Sequence, residues 1–343
     1  MKPVVSIIIV TTNAEKHIYN CINSIYRFLP NNSFEIILSD NSSADNTVKI
    51  VQKNFPYVRV IIGENKGYGF GNNRGMKEAK GEFFLILNDD TILIDNSFMK
   101  MFSYIKNDER IGLIGPKLLN KDLTLQRSIT RYPTMWWMLL KMALPRRLLL
   151  RINNSRIVFY LVNITKMNFG RFSAHGNETK EVDGIKGCCL LVRKDAILNV
   201  GLFDKNIFLQ TEESDIAKRL QLKDYKVIYY PFSRIVHVGG AAAGKANTLS
   251  LNKVFVQKYL SDYYYFSKHR NSIIVKGYKL ILSIILLIKM GFIILIFPLC
   301  NMFSIRKDNI NRGFEAYTLL CKCLWISRYK NKNIFLDMEF KYL

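Results

Sequence analysis

Residues 83–91 read Phe-Phe-Leu-Ile-Leu-Asn-Asp-Asp-Thr, five large apolar side chains followed at once by an amide and two carboxylates. An apolar run this short, ended by polar residues, is the pattern of a strand covered on both faces whose C-terminal end opens to solvent. Working outward, Val4–Val10 (VVSIIIV), Phe34–Leu38 (FEIIL) and Val58–Ile62 (VRVII) repeat it. Helix candidates at Ala14–Phe28, Ala44–Asn54 and Asn72–Lys80 lie between these runs. Strand and helix in alternation predict an α/β, doubly wound, mostly parallel sheet. Ligands in that architecture bind beyond the carboxyl ends of the strands. The rule directs attention to Thr11–Asn13, Asp40–Ser42, Asn65–Gly71 and Asn88–Asp90.

Chemistry is concentrated at these ends. Adjacent oxygen ligands at 88–90 suit a hard divalent cation that shares its shell with substrate phosphates, the alternative being a polar turn. Asn65-Lys-Gly-Tyr-Gly-Phe-Gly-Asn-Asn73 brings glycines and a lysine to a strand–helix junction, where backbone N–H groups approach an anion closely. It matches neither the P-loop nor the dinucleotide fingerprint.

Fifty Lys and Arg against 27 Asp and Glu leave a formal charge of +23. Such a field suits nucleic acid, anionic lipid or a phosphate-bearing substrate. No nucleic-acid recognition module accompanies it, which leaves lipid and diphosphate as expected partners. The six cysteines lack disulfide-scaffold density, and no apolar leader follows Met1, so the chain is expected to begin in the cytoplasm. Cys321 and Cys323 read as reduced thiols on a helix, with a zinc site as the weaker alternative.

Beyond residue 125 the pattern changes. Residues 126–181 form a basic, aromatic insertion with Arg146, Arg147 and Arg151, expected to cover the domain instead of joining its core. Residues 182–250 return to order, with a strand within Val182–Val192, helices at Lys194–Val200 and Glu212–Leu222, and closing strands at Lys226–Tyr230 and Arg234–Val238. A tail at 251–343 carries a helix at Leu251–Lys268 and the apolar run Leu280–Cys300, interrupted by Lys289 and Pro298. The run has the length of a bilayer span, but a lysine in mid-span is costly. A peripheral, monotopic attachment to the cytoplasmic face of an anionic membrane is expected, with one full span as the alternative.

These motifs together resemble glycosyltransferase family 2, whose members have the GT-A fold. The resemblance runs through Val5–Asn13, Glu35–Asp45, Asn65–Gly75, Ala79, Gly81 and Asn88–Asp90, then resumes at Gly187, Gly201–Asp204, Glu212–Asp215, Arg219, Pro231 and His237. It covers about 1–125 and 180–270, with Thr12 where an aromatic is usual. It implies nucleotide-sugar contacts from Thr11, Asn13, Glu15, Asp40, Asn41, Lys66, Gly67, Asn72, Asn73, Asn88 and Asp89. It implies Mg2+ or Mn2+ held by Asp90 and His237, and a catalytic base at Glu213, where Asp is usual. Asn in the first position of the acidic motif is similar to rhamnosyltransferase-like members. The implied activity is inverting transfer of a sugar, with rhamnose as the candidate, from a nucleotide diphosphate to a glycan hydroxyl in cell-surface polysaccharide synthesis. The basic insertion and apolar tail favour a polyprenyl-diphosphate-linked acceptor. The rival readings are a nucleotidyltransferase and a non-catalytic membrane scaffold of the same fold.

Overall fold

The computed structural model describes residues 3–29, 34–144, 177–208, 210–239 and 248–297 and parts of 313–325. Arg146, Arg147, Arg151, Pro298, Cys300 and Cys323 lie outside the described residues. The chain forms two compact units, one of 1–132, 173–208 and 212–244, the other of 133–172, 209–211 and 245–343.

In the first unit the expected alternation is present as β1 (Val5–Thr11), α1 (Ile18–Phe28), β2 (Phe34–Asp40), α2 (Thr47–Asn54), β3 (Arg59–Ile62), α3 (Tyr68–Glu78) and β4 (Phe83–Asn88). β5 (Thr91–Leu93), α4 (Ser97–Asn107), β6 (Ile111–Leu119) and β7 (Ile129–Thr130) follow. β8 (Lys180–Glu181), β9 (Gly184–Ile185), β10 (Cys189–Arg193), α6 (Lys194–Val200), α7 (Glu212–Gln221) and β11 (Lys226–His237) complete it. The main sheet runs β3-β2-β1-β4-β10-β6-β11-β5, with β8 paired to β11. β1 to β4 pair in parallel, and β10 is antiparallel to both β4 and β6.

Both faces of this sheet are dry. Ile7, Ile9, Leu38, Leu85 and Leu87 pack on one side, while Ile8, Ile37, Phe84 and Ile86 pack on the other. Each such burial contributes about 1.5–3 kcal/mol, which is why the runs are continuous instead of alternating.

Four expectations change in this unit. α3 begins at Tyr68, four residues before the expected start at Asn72, and its glycines lie inside it. A Cβ at Gly71 would stand 2.8 Å from Val10 Cγ1, and one at Gly75 2.6 Å from Ile8 Cγ2. These two glycines let the helix lie close on β1. The two closing strands are one, β11, whose register against β6 shifts between Tyr230 and Arg234. Pro231, with no N–H to donate, sits in that irregular stretch. Residues Gly184–Ile185 and Cys189–Arg193 are separate strands, the former pairing with β7. Ile129, placed by sequence in the covering insertion, is buried in the core.

Two arginines are structural. Arg219 bonds Asp215 Oδ2 at 2.8 Å and donates to the carbonyls of Val200, Gly201 and Leu202, closing the end of α6. Arg193 donates to the carbonyls of Ile105, Asp108 and Ile111.

The second unit contains α5 (Met135–Ala143), α8 (Thr248–His269) and α9 (Ser272–Ile296). α9 is long and apolar enough to cross a membrane. Val275, Tyr278, Leu282 and Leu286 are buried, whereas Ile274, Ile284, Leu287, Ile288 and Phe292 are exposed. Lys289 Nζ lies 3.5 Å from Tyr317 Oη, and Lys279 lies over the Trp325 ring. In α8 the buried Asp262 accepts a 2.8 Å hydrogen bond from Thr211.

Candidate active site

Register brings the polar strand ends together. Thr11 is opposite Asp40 and Val10 is opposite Asn88 across the parallel pairs. β10 runs the other way with Cys189 opposite Leu87, so Lys186–Cys188 arrive at the same end of the sheet. At the far strand His237 is opposite Thr91.

The adjacent acids Asp89 and Asp90 face different surroundings. Asp89 Oδ2 accepts from Thr11 Oγ1 at 2.7 Å. Burial, with help from Asp90, pushes its carboxyl up to about 7 against the opposing effect of Thr11. Asp90 and His237 are both buried, and Asp90 Oδ1 stands 3.3 Å from His237 Nε2. The geometry is not that of a hydrogen bond, and Asp90 Oδ1 has no other partner. Burial works against the Asp90 charge, yet the neighbouring His237 outweighs it and holds the carboxyl below its ordinary range. Asn88 Oδ1 is also buried without a partner.

These donors fit a divalent cation that takes most of its shell from a ligand. A buried carboxylate oxygen with no donor and an imidazole nitrogen beside it are two ligands converging on one point. Among the described residues no group of three or more His, Cys, Asp and Glu is placed to hold a metal alone.

Behind His237 lies a polar set that sequence reading missed. Gln126 Oε1 is 2.7 Å from His237 Nδ1 and accepts from Lys186 Nζ at 2.9 Å. Gln126 Nε2 donates to Asn120 Oδ1 at 2.8 Å and to the His237 carbonyl at 3.1 Å. Gln126 sits in the loop after β6, and its only sequence signal is a polar residue just past an apolar strand.

The acidic pair at the start of α7 also divides. Glu212 is buried with Oε2 unpartnered, and burial followed by the neighbouring Glu213 raises its carboxyl well above the ordinary range. Glu213 is half-buried, and its Oε2 is 3.9 Å from where a Cβ on Gly187 would be. Tyr68 Oη donates to the Gly187 carbonyl at 2.7 Å. Burial pushes the Cys188 thiol up to about 12; Lys186 opposes this, while Asp90 and Glu213 add to it.

Apart from Thr11, Asn88 and Asp89, the residues implied as nucleotide contacts fall into two groups. At the first, Asn13 takes a positive φ of 54°, donates from its N–H to Ser43 Oγ at 2.8 Å and accepts from Ala44 N at 2.8 Å. Glu15 accepts from Asn46 N at 3.3 Å, and Asp40 accepts from Ser43 N at 2.9 Å and from its hydroxyl. Arg74 Nη2 bridges the Asp40 carbonyl and Asn41 Oδ1, at 2.7 and 2.9 Å. The second group lies at the start of α3 and just before it. Lys66 pairs with Glu64 at 2.6 Å. Gly67 precedes the helix at φ 99°, and a Cβ there would meet the Phe208 carbonyl oxygen at 2.3 Å, so glycine is required twice over. Asn72 is buried, bonds the Tyr68 carbonyl and leaves Oδ1 unpartnered. Both amide atoms of Asn73 bond the Phe203 backbone, at 2.7 and 3.0 Å.

Comparison with known proteins places this geometry. The chain is 24% identical over 259 residues to an N-acetylglucosaminyl-diphospho-decaprenol L-rhamnosyltransferase of Mycobacterium tuberculosis, covering 71% of this chain and 79% of that protein. It is 24% identical over 204 residues to a poly-beta-1,6-N-acetyl-D-glucosamine synthase of Staphylococcus aureus, covering 58% of this chain but only 41% of the synthase. Among solved structures, GalNAc-T7 with UDP, GalNAc and Mn2+ shares the fold at a TM-score of 0.51, 16% identity, 78% of this chain and 50% of that one. A mannosyltransferase of Pyrobaculum calidifontis with GDP-Man and Mn2+ does so at 0.50, 14% identity, 95% of this chain and 88% of that one. The sheet is thus the GT-A sheet that the motifs implied. The family model for glycosyl transferase family 2 matches residues 6–196, from β1 through β10 into α6, and on that match the chain belongs to this family and is a glycosyltransferase.

Proposed function

We propose that the protein transfers a sugar, with rhamnose as the leading candidate, from a nucleotide diphosphate to a hydroxyl of a polyprenyl-diphosphate-linked glycan, with inversion, in cell-surface polysaccharide synthesis. The observation that carries the site is Asp90 Oδ1, buried and without a hydrogen bond beside His237 Nε2. Glu213, half-buried beside Gly187, supplies the second half of the chemistry.

Glu213 takes the proton from the acceptor hydroxyl as that oxygen attacks the anomeric carbon, since a neutral sugar hydroxyl is a poor nucleophile. Asp90 and His237 would hold Mg2+ or Mn2+, which would supply positive charge to neutralise the negative charge developing on the diphosphate leaving group. The loops at Asn13–Glu15 and Asp40–Asn41 receive the nucleoside, with Thr11, Asn88 and Asp89 beside the diphosphate. Lys66, Gly67, Asn72 and Asn73 order the start of α3 against it. Residues 1–125 and 182–250 act as donor and acceptor halves.

The rhamnose and lipid-linked acceptor are supported by the mycobacterial relative, an N-acetylglucosaminyl-diphospho-decaprenol L-rhamnosyltransferase. A formal charge of +23 suits a diphosphate-bearing lipid and an anionic leaflet. The tail attaches in the plane of the cytoplasmic leaflet. One side of α9 is covered by protein and the other exposes Ile284, Leu287 and Ile288, a division expected of an interfacial helix.

A panel of nucleotide sugars, incubated with Mn2+ and a polyprenyl-diphosphate-GlcNAc acceptor, tests this function. Release of nucleoside diphosphate with a mass gain of one deoxyhexose on the lipid is the expected result. Pyrophosphate release, or no product across the panel, overturns it.

A further inference from the structure

We infer that Gln126 is a positioning residue that keeps the proton of neutral His237 on Nδ1, so that Nε2 is the nitrogen turned toward the cation at Asp90. The inference rests on the proposed cation site only for its consequence, since the tautomer follows from the hydrogen bonds themselves.

The orientation of the Gln126 amide is determined from both ends. Lysine ammonium donates and never accepts, so the atom that meets Lys186 Nζ at 2.9 Å must be the amide oxygen. The other end meets two oxygens, Asn120 Oδ1 at 2.8 Å and the His237 carbonyl at 3.1 Å, and must be the NH2 group with its two hydrogens. Asn120 is consistent with this, because its own Nδ2 donates to Thr124 Oγ1 at 2.9 Å and leaves Oδ1 to accept. A flipped Gln126 would lose all three contacts.

With Oε1 so assigned, the 2.7 Å contact to His237 Nδ1 is a hydrogen bond only if Nδ1 carries the proton. Neutral imidazole has one proton, so Nε2 then carries a lone pair. That lone pair lies 3.3 Å from Asp90 Oδ1, itself buried and without a donor. Two buried acceptors at that separation repel unless a cation or a second imidazole proton lies between them. A cation bound there displaces only that second proton, and Gln126 keeps the ring from presenting its other nitrogen. Metal-ligating histidines are usually oriented this way, by an acceptor on the nitrogen away from the metal.

Nitrogen-15 correlation spectra of the full chain, labelled in its four histidines, decide the matter without reference to catalysis. Spectra are recorded at a pH where the ring is neutral and assigned by loss of signal in His237→Asn. The expected result is a protonated Nδ1 and an unprotonated Nε2 at His237, with Gln126→Leu showing mixed tautomers and Gln126→Glu retaining the wild-type pattern. Mn2+ affinity, followed by the electron paramagnetic resonance of free Mn2+, should fall about 10–100-fold in Gln126→Leu and much less in Gln126→Glu. A proton on Nε2 in the wild type overturns the inference. So does a Gln126→Leu protein with wild-type tautomer and Mn2+ affinity. If wild type shows the Nδ1–H tautomer but binds no Mn2+, the proposed cation site fails and the Gln126 assignment stands.

Discussion

Thr11 Oγ1 donates to Asp89 Oδ2 at 2.7 Å, and this bond gives two adjacent carboxylates separate tasks. It ties the ends of β1 and β4 together and turns Asp89 toward the first strand. Asp90 Oδ1 is left beside His237.

Asp90→Asn is therefore expected to abolish metal-dependent transfer, whereas Thr11→Val should chiefly weaken donor binding. Chelation of wild type with EDTA should remove activity, and Mn2+ should restore it. Nucleoside diphosphate release measures all three, and an Asp90→Asn enzyme with wild-type turnover would refute the metal role.

Glu213→Gln should lower kcat by about 10²- to 10⁴-fold, the usual contribution of a positioned general base, with donor KM changed little. Glu212→Gln should change kcat far less, because burial raises the Glu212 carboxyl well above its ordinary range and so favours the uncharged form that the amide resembles. Steady-state kinetics on both variants separate the pair. The reverse ranking would move the base to Glu212.

Gly75→Ala should destabilise the protein by about 1–3 kcal/mol, the usual cost of overpacking, since the added methyl would stand 2.6 Å from Ile8 Cγ2. Urea unfolding measures it. An unchanged midpoint would mean that α3 lies farther from β1 than described.

Asp262 links stability to pH. Burial pushes its carboxyl above the ordinary range, against the hydrogen bond from Thr211 and the charges of Lys258 and Lys141. A folded pKa above the unfolded value of about 3.9 means that the folded state holds the proton more tightly. Its contribution is thus complete below that value and is lost as pH rises through the raised one. Asp262→Asn cannot ionise, so its urea midpoint relative to wild type should rise between pH 4 and 8. A difference independent of pH would argue against a buried, neutral-preferring carboxyl.

Ile284→Glu combined with Leu287→Glu should reduce co-flotation with vesicles containing anionic lipid, because both side chains lie on the exposed side of α9. Neutral vesicles should bind wild type less well than anionic ones. Equal flotation of the variant and wild type would place the attachment elsewhere.

Much of the fold is readable locally. VSIIIVT, FEIILSD and FFLILN are apolar without interruption, and only a sheet buried on both faces asks for that. β6 was harder to see, because Gly112, Gly115 and Pro116 break its apolar run. The role of two α3 glycines in packing was hidden for another reason: the residue type does not say what approaches it, and only the strand opposite shows Gly75 against Ile8 and Gly71 against Val10.

The sequence by itself determined the order of the first four strands and three helices, the acidic end of β4 and the family, because these depend on residue types at short spacing. Tertiary structure alone decided which acid of each pair is which, and that Gln126 meets His237 across 111 residues of chain. Desolvation and hydrogen-bond direction are properties of what folding brings together, and neighbours in sequence such as Asp89 and Asp90 need not share them.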